Sequence, residues 1–184
     1  MAAKIIDAFQ LKDGRKITFR YPLSGDIFLM TKYINALSKE KTFIRFQGEV
    51  IPLEEERKYL EKQLERISKK QTVQLVAICN QQIVGISAID LRDRVEQHIG
   101  IFGITLAKGF RGQGLGHKLM QAVIKEGIKK LPQLKLVTLE VYDINNIARS
   151  LYKSMGFKEY GCLPKGLKYK GKYFDRILMF RKVK

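Results

Sequence analysis

The sequence predicts a mixed α/β domain (α+β in the order of its strands), with one central sheet flanked by helices. Three observations carry that reading. Two β-branched runs, Thr72–Cys79 and Ile83–Leu91, are separated only by Asn80-Gln81-Gln82, the pattern of a hairpin. Apolar residues recur at helical spacing from Ile27 to Leu37, from Leu53 to Ile67 and from Leu115 to Ile128. An apolar run ending at Leu106 enters the glycine-rich turn Arg111-Gly112-Gln113-Gly114-Leu115-Gly116, continues as a helix, and returns as a second apolar run, Leu134–Tyr142. Strand, turn, helix and strand in that order make a parallel pair.

Taken in order, Ile5–Leu11 and Lys16–Tyr21 flank Asp13-Gly14, a hairpin-turn dipeptide. Pro22 to Asp26 breaks the pattern and offers Ser24 or Asp26 as a cap for the first helix. Lys39 to Ile51 has no period and reads as a loop. Pro52 opens the second helix, where Glu54-Glu55-Glu56 at the start and Lys69-Lys70 at the end follow the helix dipole. After the 72–91 hairpin, Val95–Leu106 reads as one long strand, in which Gly100 and Gly103 suggest a bulge or a close backbone approach. Pro132 ends the third helix. Asn145–Met155 is a short helix stopped at Gly156; Phe157–Cys162 and Lys172–Lys182 are the last strands, with Leu163–Gly171 a basic, mobile loop between them. The predicted order is β-β-α-α-β-β-β-α-β-α-β-β, over residues 1–184 as a single domain.

Composition narrows the partners. The 184 residues carry a formal charge of +17, which favours an anionic cofactor or partner and disfavours a polycationic small substrate. The excess is spread along the chain without interleaved aromatics, so nucleic acid is not expected. Cys79 and Cys162 match no metal spacing, and no metal is expected. Without a disulfide framework, a signal-like segment or a long apolar run, the expected location is cytoplasmic, away from membranes.

The glycine turn has a physical use. Free N–H groups of a helix's first turn converge on one point, the dipole adds positive character there, and glycine lets the backbone close on an anion. His117 follows Gly116 where a Walker loop needs Lys, and Gly112, Gly114 and Gly116 are spaced G-x-G-x-G, not as the dinucleotide fingerprint requires. The turn resembles the Arg/Gln-x-x-Gly-x-Gly/Ala segment of the GNAT N-acetyltransferase superfamily. Asn145-x-x-Ala148-x-x-Leu151-Tyr152-x-x-x-Gly156-Phe157 is similar to a second segment of that family, and it follows at the expected distance.

The resemblance implies a GNAT fold with splayed central strands and acetyl-CoA as cosubstrate. Leu139-Glu140-Val141, just before the Asn145 helix, resembles the protein N-terminal acetyltransferases related to ribosomal-protein acetylation. The family resemblance implies that Arg111, Gly112, Gln113, Gly114, Leu115, Gly116 and His117 hold the pyrophosphate. Ile104, Thr105 and Leu106 would pair with the pantetheine arm, and Asn145 would contact the coenzyme. Tyr152 would return a proton to the departing thiolate, which a phenol with a pKa of about 10 can do at neutral pH. Asn145 also fits as a helix cap, and Tyr152 as core. For the base, Glu140 is the first candidate, as a carboxylate in an apolar strand that is costly to bury without a role. Glu96 and His98 are alternatives, as is a water. The eight basic residues against one acid from Leu163 onward form an expected wall for a negatively flanked amine acceptor. A protein α-amine or lysine is preferred to a small amino-acid-like amine, and a coenzyme-binding module without turnover is the non-enzymatic alternative. Homodimers are common in the family.

Overall fold

The computed structural model describes residues 4–183. Its elements are β1 (Ile5–Gln10), β2 (Lys16–Arg20), α1 (Ile27–Lys39), α2 (Leu53–Ser68), β3 (Thr72–Cys79), β4 (Gln82–Leu91), β5 (Ile99–Leu106), α3 (Leu115–Lys130), β6 (Leu136–Tyr142), α4 (Asn146–Ser154), β7 (Lys158–Tyr169) and β8 (Lys172–Lys182). The strands form one sheet in the order β1-β2-β3-β4-β5-β6-β8-β7. Every neighbouring pair is antiparallel except β5 and β6, which run parallel. Both the element order and the central parallel pair match the expectation.

Helices cover both faces of the sheet. Leu115, Leu119, Met120 and Val123 of α3 join Phe102, Val137, Leu139 and Tyr152 in the larger core. On the opposite face Ile27, Met30, Tyr33 and Leu37 of α1 meet Leu60 of α2 over Val76 and Ile83. Strand alternation divides the residues between the two cores: on β6 Val137, Leu139 and Val141 are buried, while the even positions belong to the α1–α2 face. No helix among the described residues is long and apolar enough to cross a membrane.

Several expectations are corrected. The long strand from Val95 begins only at Ile99, because residues 94–96 close into a 3-10 turn pinned by Glu96 N–H donating to Asp93 O. No bulge occurs at Gly100 or Gly103, as β4 and β5 pair without a register shift. Gly100 instead answers crowding: a Cβ there would stand 2.4 Å from Ile89 Cγ2 and 2.8 Å from Leu134 Cδ1. At Gly103 the same atom would meet nothing. The presumed loop at 163–171 is mostly strand, since β7 runs to Tyr169 and turns back through Lys170 and Gly171, both at positive φ. Pro164 is tolerated because β7 is the sheet's edge, and a register shift between Leu163 and Leu167 absorbs Gly166. Asp26 does not cap α1 with its side chain; it forms a largely buried ion pair with Arg20 at 2.6 Å. Pro52 stands one residue before α2 and not inside it.

Gly100→Ala should therefore overpack the β4–β5–α3 junction and destabilise the protein by about 1–3 kcal/mol, read as a lower urea midpoint with an unchanged slope. Gly103→Ala, with open space above it, should stay within about 1 kcal/mol of the parent.

Candidate active site

The site begins where β5 and β6 part. Their pairing is confined to Ile99–Ile101 against Leu136–Thr138. Beyond it each strand keeps its outer partner, with β5 on β4 through Leu106 and β6 on β8 through Tyr142. Two hydrogen bonds set the direction of the free groups. Arg92 N–H donates to Ile99 O, and Ala107 N–H donates to Val84 O, so odd-numbered residues of β5 face β4. The amides of Ile104 and Leu106, beyond the last paired residues, therefore open into the gap. By the same alternation, with Asp143 N–H donating to Asp175 O, Glu140 and Tyr142 present their backbone from β6.

This refines the expected cofactor contacts. Ile104 and Leu106 line the gap, whereas the backbone of Thr105 is turned toward β4 and its hydroxyl lies 3.0 Å from Tyr33 Oη. Leu106 keeps only its N–H free, because its carbonyl accepts from Arg111 Nε at 2.9 Å.

The glycine turn stands at the open end of the gap. Gly112 and Gly114 have φ of +74° and +79°, a left-handed backbone that residues with a Cβ avoid. Phe110 and Arg111 donate back within the turn, and Lys118 N–H donates to Gly114 O. Between them the N–H groups of Gly112, Gln113, Gly114, Leu115, Gly116 and His117 have no protein acceptor among the described residues. Six consecutive amides at the positive end of a 16-residue helix form an anion cradle. The Leu115 side chain is fully buried, so that residue offers only its amide.

Two expected ligands turn out to brace the turn. Arg111 reaches away from the amides to an ion pair with Glu40 at 2.7 Å. Gln113 accepts from Arg15 at 2.7 Å and donates to Gly109 O at 3.2 Å. Arg15 itself lies 4.0 Å over the Phe110 ring and is held by Asp13, so the β1–β2 hairpin buttresses the turn.

Tyr152 enters the gap from α4. Its ring stands edge-on to Phe102 at 6.1 Å, and Phe157 lies 6.2 Å away. Burial pushes its phenol up to about 12, and its hydroxyl has no hydrogen-bond partner among the described residues. Asn145 caps α4, its Oδ1 accepting from Ala148 N–H at 3.2 Å, which leaves the amide nitrogen free to donate.

Glu140 differs from expectation. Its side chain is 56% exposed and pairs with Arg176 at 3.1 Å, so the premise of a buried carboxylate fails. Its even position turns it to the wetter α1–α2 face. Continuing the β5–β6 register sets Glu140 level with Gly103, beside the gap. His98 and Glu96 lie beyond the closed end; His98 is five residues from Gly103, roughly 16 Å along the strand. Glu96 is engaged by Arg92 at 2.9 Å. Cys162 is exposed on β7, where desolvation and then the Asp175 carboxylate push its thiol up, unlike an activated nucleophile.

The sequence profile of the acetyltransferase (GNAT) family matches residues 35–157, which span the cradle, the gap and Tyr152. The chain belongs to the acetyltransferase (GNAT) family. This GNAT protein is 27% identical over 167 residues to the SPbeta prophage-derived uncharacterized N-acetyltransferase YokL of Bacillus subtilis, covering 89% of this chain and 88% of the relative. A GNAT-family acetyltransferase of Streptococcus pneumoniae superposes with a TM-score of 0.83 at 27% identity, over 91% of this chain and 99% of the other. RimL, a ribosomal L7/L12 alpha-N-protein acetyltransferase solved with coenzyme A, shares the fold with a TM-score of 0.79 at 15% identity, over 98% of both chains.

Residues that no local pattern announced pack around Tyr142 at the edge of the gap. Phe43 of the α1–α2 loop packs on Tyr142 at 5.3 Å and on Tyr169 at 5.2 Å, and Tyr169 packs on Phe174. Tyr169 Oη donates to Lys41 O at 2.8 Å, tying the β7–β8 hairpin to that loop. Lys165, Lys168, Lys170 and Lys172 point to solvent, so the wall nearest the gap is aromatic.

Because Tyr152 holds its proton more tightly when folded than the unfolded phenol near pH 10 does, its contribution to stability should be level below pH 10 and be lost as pH rises toward 12. Tyr59, also raised to about 12, and Tyr21 and Tyr33, which burial pushes up further, add to the alkaline fall in stability. Tyr152→Phe should lose about 3 kcal/mol less than the parent across this interval, measured by urea denaturation from pH 8 to 12.

Proposed function

We propose that this GNAT protein transfers the acetyl group of acetyl-CoA to a primary amine by direct attack in a ternary complex. The observation that carries the reading is the row of six unpartnered amides from Gly112 to His117, opening onto a gap edged by unpaired strands. A diphosphate supplies the acceptors that those amides lack. An extended amide-bearing arm matches the free edge groups of Ile104 and Leu106 on β5.

In this reading the cradle anchors the coenzyme, and a β5 amide polarises the thioester carbonyl. The amine nitrogen bonds to the carbonyl carbon, the C–S bond breaks, and Tyr152 gives its proton to the thiolate. The raised pKa of Tyr152 keeps that proton available at neutral pH. Glu140, held by Arg176, removes the amine's proton directly or through a water. The preferred acceptor is a protein α-amine or lysine.

The test is thiol release from acetyl-CoA with a panel of amines and peptides. Tyr152→Phe should lower kcat by about 100-fold or more, with coenzyme affinity unchanged by calorimetry. Glu140→Gln should lower kcat in the same way, with partial recovery as pH rises and free amine accumulates. Parental rates in both variants, or no heat on mixing with acetyl-CoA, overturn the assignment.

A further inference from the structure

On the α1–α2 face the chain that joins those two helices crosses the open end of the gap. Glu40 caps α1, and its Oε2 meets Arg111 Nη1 at 2.7 Å as an ion pair. The Arg111 guanidinium stands at the end of β5, where its Nε donates to Leu106 O. Three residues after Glu40, the Phe43 ring packs against Tyr142, the last residue of β6, and against Tyr169 of β7. Between them Lys41 O accepts from Tyr169 Oη at 2.8 Å. Residues 40–43 therefore meet both of the strands that part, and they fasten to the β7–β8 hairpin as well.

The rest of this loop is held by other bonds. Asn35 donates to Ile51 O and accepts from Ile51 N–H. Ser38, fully buried, donates to Glu49 O and accepts from Gly48 N–H. Gln47 donates across the loop to Thr42 O and Ile44 O. Freeing residues 40–43 from the gap thus leaves the base of the loop closed on α1.

The segment covers one level of the gap and leaves the next uncovered. Continuing the β5–β6 register sets Thr105 level with Tyr142, and Gly103 level with Glu140. The outer level is roofed, by Tyr33 over Thr105 and by Phe43 over Tyr142. At the inner level Glu140 is 56% exposed, and a Cβ on Gly103 would meet nothing within 4 Å. An amine arriving on this face therefore meets the gap beside Glu140, between the roofed level and the closed end.

We propose that Glu40 is a positioning residue for the acceptor amine. By pairing with Arg111 it fastens residues 40–43 as a clasp across the gap, and the closed clasp confines the amine to the Gly103–Glu140 level. Glu40 acts through Arg111, Lys41 and Phe43. This rests on the reading of the site as an amine acetyltransferase. With the Glu40 side chain only 19% exposed, the pair is screened less than one on open surface. Glutamine at this position keeps the shape and loses the charge that holds Arg111.

The experiment measures acetyl-CoA affinity by calorimetry and, by thiol release, kcat and KM for alaninamide, amidated hexaalanine and Nα-acetyl-lysinamide. For each amine that the parent acetylates, Glu40→Gln should raise KM by at least about fivefold, with kcat and coenzyme Kd changed by less than about twofold and the urea midpoint unchanged. Glu40→Asp, which keeps the charge, should recover most of that loss. Tyr169→Phe, which removes the bond to Lys41 and keeps the ring, should raise KM in the same way. The double variant Glu40→Gln, Tyr169→Phe should cost no more than the worse of the two, because a clasp already open cannot be opened again. An unchanged KM in Glu40→Gln, or a loss that falls on coenzyme Kd instead, overturns the inference while the amine reading stands. So does a double variant whose two effects multiply. No turnover of any of the three amines by the parent, with acetyl-CoA bound, overturns the amine reading and this inference with it.

Discussion

Separation of β5 from β6 after three paired residues is the constraint on which the rest of the structure depends. Each strand is fully paired on its outer side, so neither can rotate to satisfy its inner edge without giving up a ladder. The wedge between them is filled on one face only. A Cβ at Gly116, in the first turn of α3, would stand 3.3 Å from Leu106 Cδ1 and 3.5 Å from Leu151 Cδ2, so both helices crowd the end of β5. Phe102, Tyr152 and Phe157 fill the remaining space with rings at about 6 Å. The result is a groove with an aromatic floor and polar backbone edges, open to a chain that can hydrogen-bond along its length. Unpaired amides facing each other across a gap are unfavourable unless something lies between them.

Charge works at two ranges. The net +17 sets a long-range field that draws anions toward the molecule. The local cradle, however, is built of uncharged groups. Arg111 and Arg15, two cations that hydrogen-bond to the turn, are committed to Glu40 and Asp13 and to carbonyls of the turn and the end of β5. Their effect on an anion is therefore indirect, since they hold the amides in the geometry that makes a cradle. On the hairpin, Lys168 and Lys170 lie over the Tyr173 and Tyr169 rings. There too the lysines stay outward, while Tyr169 packs inward on Phe43 and Phe174.

What the sequence disclosed and what it hid follow from the range of each interaction. The twelve regular elements, the Gly112–Gly116 turn, the Asn145 cap and the Gly156 stop are all encoded within a few residues, by periodicity, by positive φ and by capping chemistry. The orientation of the Thr105 backbone is not, because it depends on which partner β5 shares its odd-numbered amides with. Nor is the exposure of Glu140, which alternates with buried neighbours on a strand that looks uniformly apolar in one dimension. Pro164 and Gly166 read as loop residues because nothing local shows that β7 is an edge strand with room for a bulge. The contacts of Arg15 with Gln113, Tyr33 with Thr105 and Tyr169 with Lys41 join residues 98, 72 and 128 positions apart. No window on the sequence spans them.

The two faces of the sheet give the two candidate proton carriers opposite surroundings, and in the proposed transfer that contrast would set the direction of the chemistry. Tyr152 stands among rings and buried aliphatics with no protein acceptor for its hydroxyl, so the neutral phenol is strongly favoured and its proton can go only to something that enters the gap. Glu140 stands on the wetter face beside Arg176, where it stays in contact with solvent. A proton taken by Glu140 therefore has a route to bulk water, whereas a proton leaving Tyr152 must be replaced after the thiol departs. In the proposed transfer, charge would be neutralised on the dry side and released on the wet side. A reaction that starts from an ammonium and a thioester and ends as an amide and a thiol needs that order. The sheet, by placing one residue on each face of the same gap, would keep the two proposed proton paths from meeting.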